Sequence, residues 1–207
     1  MITIKLGAIT VNKKDDTYNL ILDQSLFLFN TKGIHQTSIQ DIMDITSLPK
    51  GAIYRRFKNK NDIALAAYEK AGMIIWTYMK DAIKRKSTAT KKIIALSEIY
   101  LDAVHNPPIE GGCPLLNTAV ESDSTFPELK QIMSMAFQEM IQFVSGIISE
   151  GKESGEFSQE TDPDSLASYI LSSMEGAIMT SRLTLNNEHI YSNIKYVKVL
   201  LNGFTKK

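Results

Sequence analysis

The sequence predicts an all-α chain in which a small N-terminal trio of helices precedes a larger helical bundle. Three observations carry that expectation. Apolar residues recur at spacings of three and four through most of the 207 residues, which gathers them on one face of each helix. Start and stop signals bracket these segments, with Thr37-Ser38 and Asp162-Pro163 at starts and Gly33 and Asn106-Pro107-Pro108 at ends. Between Thr37 and Lys60, in TSIQDIMDITSLPKGAIYRRFKNK, two short amphipathic segments are joined by a tight break.

Taken in order, residues 1–12 show no helical period and read as an arm, flexible or strand-like. Lys13-Lys14 would lie within reach of a polyanion, although a solvated tail explains them as well. The first helix runs roughly from Asp15 to Lys32 and stops at Gly33. The second opens at Thr37-Ser38, whose hydroxyls accept backbone N–H groups left without intrahelical partners. Ile39, Ile42, Met43 and Thr46 face inward, while Gln40, Asp41 and Asp44 point elsewhere. Ser47-Leu48-Pro49 then ends one helix and starts the next, because proline is tolerated only in a helix's first turn. In the third helix Ile53 and Phe57 face inward, and Lys50, Gly51, Ala52, Tyr54 and Arg55 lie around the opposite and N-terminal surface.

That surface suits a DNA duplex. A helix fits the major groove, where small residues at Gly51 and Ala52 permit close approach and Lys50 reaches guanine O6 or N7. Tyr54 and Arg55 would grip phosphate. A phosphate clamp is expected at Lys58-Asn59-Lys60-Asn61-Asp62, and another at the start of the second helix, so Thr37, Ser38, Gln40, Lys58 and Lys60 join the candidate DNA contacts. Charge agrees: residues 1–60 carry nine Lys/Arg against five Asp/Glu, and the rest fourteen against eighteen, so zero net charge conceals a basic end.

Ile21-Leu22, Leu28-Phe29, Gly33, Thr37-Ser38-Ile39, Asp41-Ile42, Lys50-Gly51, Tyr54, Phe57 and Lys60 resemble the N-terminal signature of tetracycline-repressor-like (TetR family) transcriptional regulators. The resemblance covers residues 13–72 and is specific because it joins some ten spaced positions. A looser likeness continues through Gly112-Cys113-Pro114-Leu115-Leu116-Asn117 and Glu121. The resemblance implies a helix-turn-helix DNA-binding domain at 13–72 and a ligand-binding and dimerisation domain at 73–207. It further implies a homodimeric repressor of a palindromic operator, released by a small molecule. Two departures stand out. Ser47 occupies a turn position held by glycine in many relatives, which places a side chain in a left-handed conformation. Gln24-Ser25 stand where the family packs small alanines.

Beyond the head, a long helix is expected from Asp62 to about Lys86, joining head to body over roughly 35 Å at 1.5 Å per residue. Further helices are expected at about Thr88–His105, Pro114–Val120, Glu128–Gly151, Asp162–Leu183 and Glu188–Phe204. Flexible methionines and aromatics beyond residue 70 can line an adaptable cavity or simply form core. With the family resemblance, the ligand-lining candidates are Met73, Trp76, Tyr100, Val104, Leu116, Met133, Phe137, Met140, Tyr169 and Met174, and the effector is expected to be mainly apolar. By resemblance the last two helices pair with their copies, nominating Leu166, Tyr169, Ser173, Gly176, Ala177, Ile194, Val197 and Leu201 for dimerisation.

Other classes fare worse. His105 and Cys113 lack a third catalytic partner, and neither nucleophile-elbow nor metal-ligand spacing occurs, so no enzyme, metal or cofactor is expected. Cys113 cannot form an intramolecular disulfide, being the single cysteine, but could serve as a redox sensor. No run of about 18 apolar residues or signal-peptide pattern is evident, so the expectation is a cytoplasmic protein without a membrane partner. The rival reading is a helical small-molecule carrier or enzyme whose N-terminal helices only pack.

Overall fold

The computed structural model describes residues 16–122 and 126–205, and among these every extended regular element is a helix. The expected arm at 1–12 and Lys13-Lys14 lie outside the described residues. The head comprises α1 (Asp16–Lys32), α2 (Ile39–Thr46), α3 (Lys50–Tyr54) and the first half of α4 (Lys60–Ile83). Ile21, Leu22, Leu26, Phe29, Ile42, Ile53, Phe57, Ile63 and Ala67 close its core. Tyr18 stacks on Phe57 with ring centroids 5.0 Å apart, and Lys70 pairs with Asp23, so α1 is fastened both to the turn between α3 and α4 and to α4 itself. Because α4 runs unbroken through residue 72, the expected domain division falls inside a helix.

The body contains α5 (Ala89–Ser97), α6 (Pro114–Ser122), α7 (Pro127–Glu153), α8 (Pro163–Thr184) and α9 (Glu188–Phe204). Asp162 caps α8 as its sequence implied, its side chain accepting from the Asp164 and Ser165 amides at 3.1 and 3.3 Å. The helix expected over Thr88–His105 is instead α5, a 3₁₀ turn at Glu98–Tyr100 and a run of turns. Asp102 Oδ1 explains the departure: it accepts from His105 N at 3.0 Å and from Asn187 Nδ2 at 2.6 Å, offering the backbone an alternative to helix. Tightening the turn also buries Tyr100 and Ala103.

An 18-residue window of α7 reaches a mean hydropathy of 1.2, so by length and composition this helix could cross a membrane, contrary to the expectation from its sequence. Its apolar face is used inside the bundle, where Val144, Ile147 and Ile148 pack with Ile93, Phe157, Leu166 and Ile170.

Head and body meet at the start of α6. Gly111 and Gly112 have φ near +94° and +95°, and a Cβ on Gly111 would lie 2.3 Å from the Asn30 carbonyl oxygen at the end of α1. Asn30 Nδ2 donates to the carbonyls of Glu110 and Gly112 at 2.7 and 3.0 Å, and Asn117 Nδ2 donates back to Asn30 O at 3.1 Å. One turn further along α6, the Glu121 carboxylate accepts from Ile34 N at 2.9 Å and His35 N at 2.7 Å. The end of α1 and the start of the turn preceding α2 are therefore gripped by α6.

Candidate nucleic-acid interface and interior cavity

The order of α2 begins with its cap. Ser38 Oγ accepts from Asp41 N at 3.1 Å, and Asp41 Oδ2 accepts from Ser38 N at 2.6 Å, a complete capping box. Lys32 adds an ion pair to Asp41 at 2.8 Å; its bond and those of Ser38 hold the Asp41 carboxyl well below the usual carboxylate range. Ser47, at φ 55°, terminates α2 in the left-handed region, as the departure from glycine implied. Pro49, extended at φ −70° and ψ 152°, starts α3.

On α3, Ile53 is fully buried while Lys50, Gly51, Tyr54 and Arg55 are exposed. Lys50 Nζ sits 5.7 Å from the Tyr54 ring centroid, so the two side chains form one cationic, aromatic ridge. Nothing approaches within 4 Å of where a Gly51 Cβ would be, leaving the helix backbone open to a large partner. Ser38, Gln40 and Lys58 are also exposed. Gln40 Nε2 donates to Asp44 at 2.7 Å along the solvent side of α2.

Three nominated DNA contacts are corrected. Thr37 is fully buried and donates its hydroxyl to Gly33 O at 2.7 Å, because the chain needs it to close the turn before α2. Ala52 is buried too, since it shares the inward face of α3 with Ile53. Lys60 reaches inward: its ammonium donates to Ile34 O at 2.6 Å and Thr37 O at 2.8 Å, neutralising carbonyls that no helix satisfies. The expected clamp at the start of α4 is largely filled from within, as Asn59 Oδ1 accepts from Asp62 N at 2.9 Å and Asp62 Oδ2 from Lys58 N at 3.1 Å.

In the body, a cavity of about 80 Å³ lies between α4, the 3₁₀ turn, the start of α6, α7 and α8. Of the ten nominated residues, Trp76, Tyr100, Met133, Met140 and Met174 line it. Five do not. Met73 falls on the neighbouring flank of α4 from Gly72 and Trp76; Val104 is drawn to Asn187, its amide 3.2 Å from Oδ1; Leu116 packs against the cluster that holds Ala103, Ala177 and Ile190; Phe137 joins the α5–α7–α8 core; and Tyr169 is 60% exposed.

Polar residues in that wall were missed by reasoning from apolar patterns. Glu69, Tyr68, Cys113 and Glu175 all line the cavity. Glu175 could have been found, since it interrupts the apolar stripe of Leu171, Met174 and Ile178 on α8. Cys113 Sγ donates to Glu175 Oε1 at 3.1 Å. Burial pushes Tyr68 up to about 12, Tyr100 well above its ordinary value, and the Glu69 and Glu175 carboxyls upward. Burial, reinforced by Glu175, also raises the Cys113 thiol, which is the opposite of what a reactive redox-sensing thiolate requires.

Two family models divide the chain: residues 21–67 match bacterial regulatory proteins of the tetR family, and residues 89–197 match the tetracyclin repressor-like C-terminal domain. The chain belongs to the TetR family. It is a DNA-binding transcriptional regulator and not an enzyme. A TetR transcriptional regulator from Chloroflexus aurantiacus superposes with a TM-score of 0.88 at 32% identity, covering 91% of this chain and 96% of that one. The fatty acid metabolism regulator protein of Bacillus subtilis is 28% identical over 174 residues, 82% of this chain and 86% of its own. The TetR-family regulator CifR, solved with a 26-base-pair operator, shares the fold at a TM-score of 0.79 and 14% identity, covering 90% of this chain and 95% of that one.

Within this TetR-family bundle, five nominated dimerisation residues are corrected. Leu166, Ala177, Ile194, Val197 and Leu201 are buried inside the protomer, where α8 and α9 pack on each other and on the rest of the body. Tyr169 and Gly176 are exposed, and Ser173, half-buried, turns its hydroxyl to Ile170 O at 2.9 Å. The opposite faces of the same helices carry exposed Met179, Leu183, Tyr191, Tyr196 and Val199, at 50, 79, 45, 67 and 58%. Small residues on α8 permit close helix approach, but the sequence pattern does not say which face looks outward.

Proposed function

We propose that the protein is a homodimeric, cytoplasmic repressor that binds a palindromic operator and is released when a small effector enters the body cavity. One observation carries this reading. The helix α6 has Cys113, Pro114 and Leu115 at its cavity end and Asn117 and Glu121 on the backbone around α1 and α2. An occupant that displaces the start of α6 must also disturb the bonds that orient the reading head. Because a ligand shifts an equilibrium only by its differential affinity, the two head positions must differ in cavity shape.

The exposed strip Tyr169, Gly176, Met179, Leu183, Tyr196 and Val199 supports pairing through α8 and α9, since an apolar surface of this extent on neighbouring helices favours burial against a copy. Pairing would set two α3 ridges on successive major grooves about 34–36 Å apart, or at a related spacing. On DNA, Lys50, Gly51, Tyr54 and Arg55 would enter the groove, with Ser38, Gln40 and Lys58 on its margins.

Sedimentation and mobility shift test this together. Wild type is expected to sediment as a dimer and retard DNA taken from upstream of its own gene. Leu183→Glu is expected to sediment as a monomer and lose at least about a hundredfold in operator affinity, as a bivalent grip becomes monovalent. A wild-type monomer that shifts DNA equally well would refute the dimer reading.

A further inference from the structure

The cavity wall carries a chemical preference that the apolar pattern of the sequence did not disclose. Its body is hydrocarbon and aromatic, with Ile75, Trp76, Met140 and Met174 among the lining. Into this surface are set two buried oxygens that have no hydrogen-bond partner: Tyr100 Oη and Glu175 Oε2. Tyr100 is almost wholly buried, at 5% exposure, so solvent does not serve its hydroxyl. Leaving such groups unmet costs free energy, which a matching ligand recovers.

The sign of the wall is equally one-sided. Glu69 and Glu175 contribute two carboxyls, and among the described residues the lining contains no Lys, Arg or His. Arg182, whose charge reaches Tyr100, donates to Ala103 O at 3.2 Å and is not part of the lining. A carboxylate or phosphate ligand would be stripped of water and placed against like charge. A primary ammonium offers donors enough for both unmet oxygens, and its charge is also attracted to an indole face such as that of Trp76.

We propose that the cavity selects a small protonated amine with an apolar body, its ammonium bound to Glu175 and to the Tyr100 hydroxyl. This deepens the reading of the cavity as the effector site and rests on it. The space of about 80 Å³ is several times the roughly 10–15 Å³ that one water needs, which sets a small-molecule size class. Cys113, by donating to Oε1, leaves Oε2 as the free edge of the carboxylate and so positions it.

The test compares hexylamine, hexanol and hexanoate on the full-length protein, by calorimetry and by the fluorescence of its single tryptophan, Trp76. Hexylamine is expected to bind at least about tenfold more tightly than hexanol, and hexanoate not measurably. Glu175→Gln should remove about tenfold from the amine while leaving hexanol unchanged, as expected for a lost charge-assisted bond. Should Glu175→Gln fail to fold, judged by circular dichroism, Tyr100→Phe serves, with a smaller loss confined to the amine. Hexanoate binding as tightly as hexylamine, amine affinity indifferent to both variants, or no binding of any probe at millimolar concentration would each overturn the proposal. Operator release is read separately. An amine that binds without releasing operator contradicts the effector reading and leaves the selectivity intact, whereas release by a different chemical class with no amine binding does the reverse.

Discussion

The head and the body answer buried polarity in opposite ways. In the head the starts of α2 and α4 and the turn before α2 are served from within, although Ser25 Oγ stays unmet: Ser38 and Asp41 cap α2, Asn59 and Asp62 cap α4, and Lys60 ties two loop carbonyls. In the body, Tyr100 and Glu175 face a cavity with oxygens left unmet. A reading head must hold its geometry while presenting charge to DNA, so its polar groups are spent on rigidity. A chamber that responds to a ligand needs bonds still to be made.

The comparison breaks most sharply at the head core. Phe29→Ala should cost about 3–5 kcal/mol in a denaturant titration, since a fully buried ring in a closely packed core leaves a cavity. Next comes Lys60→Ala, which should destabilise by about 1.5–3 kcal/mol through loss of two charge-assisted bonds to carbonyls. Its salt dependence of DNA binding should stay unchanged. Lys50→Ala is the counterpart: stability within about 0.5 kcal/mol of wild type, but a slope of log affinity against log salt shallower by about one and blurred sequence preference. A salt slope that moved with Lys60 and not with Lys50 would reverse the assignment of the two lysines.

Smaller effects sharpen the contrast. Ser38→Ala should cost about 1 kcal/mol, the worth of a helix cap, whereas Tyr100→Phe should be neutral or stabilising in the unliganded protein because it removes an unmet hydroxyl. Asp41 provides a pH test in the head. Its carboxyl is held below the unfolded value, so its contribution is intact above that value and is lost as pH falls below about 4. Asp41→Asn should therefore flatten the acid limb of the stability curve measured by thermal melting. The smallest change is Ser47→Gly, expected to gain about 0.5–1 kcal/mol by relieving a left-handed serine.

Much of the head was legible because its signals are local. Ser38, Pro49, Ile53 and Phe57 act within one or two turns of the backbone they shape, and a left-handed Ser47 follows from the same short break. Lys60 misled for the converse reason. A lysine at a helix start looks like a free cation until the chain folds back and offers it carbonyls at Ile34 and Thr37. Glu121 and Glu156 share that character: each carboxylate serves backbone amides distant in sequence, at Ile34 and His35 and at Ala89 and Thr90, so no local pattern announces them.

By itself the sequence determined the helical class, the boundaries of most helices and the charged ridge of α3, because capping, proline geometry and a 3.6-residue period depend on neighbours along the chain. The tertiary structure alone decided which face of α8 and α9 stays outside, which methionines reach the cavity, and that Glu175 looks into it. Those outcomes depend on how helices rotate about their axes when they pack, and a rotation of one residue, about 100°, exchanges core for surface.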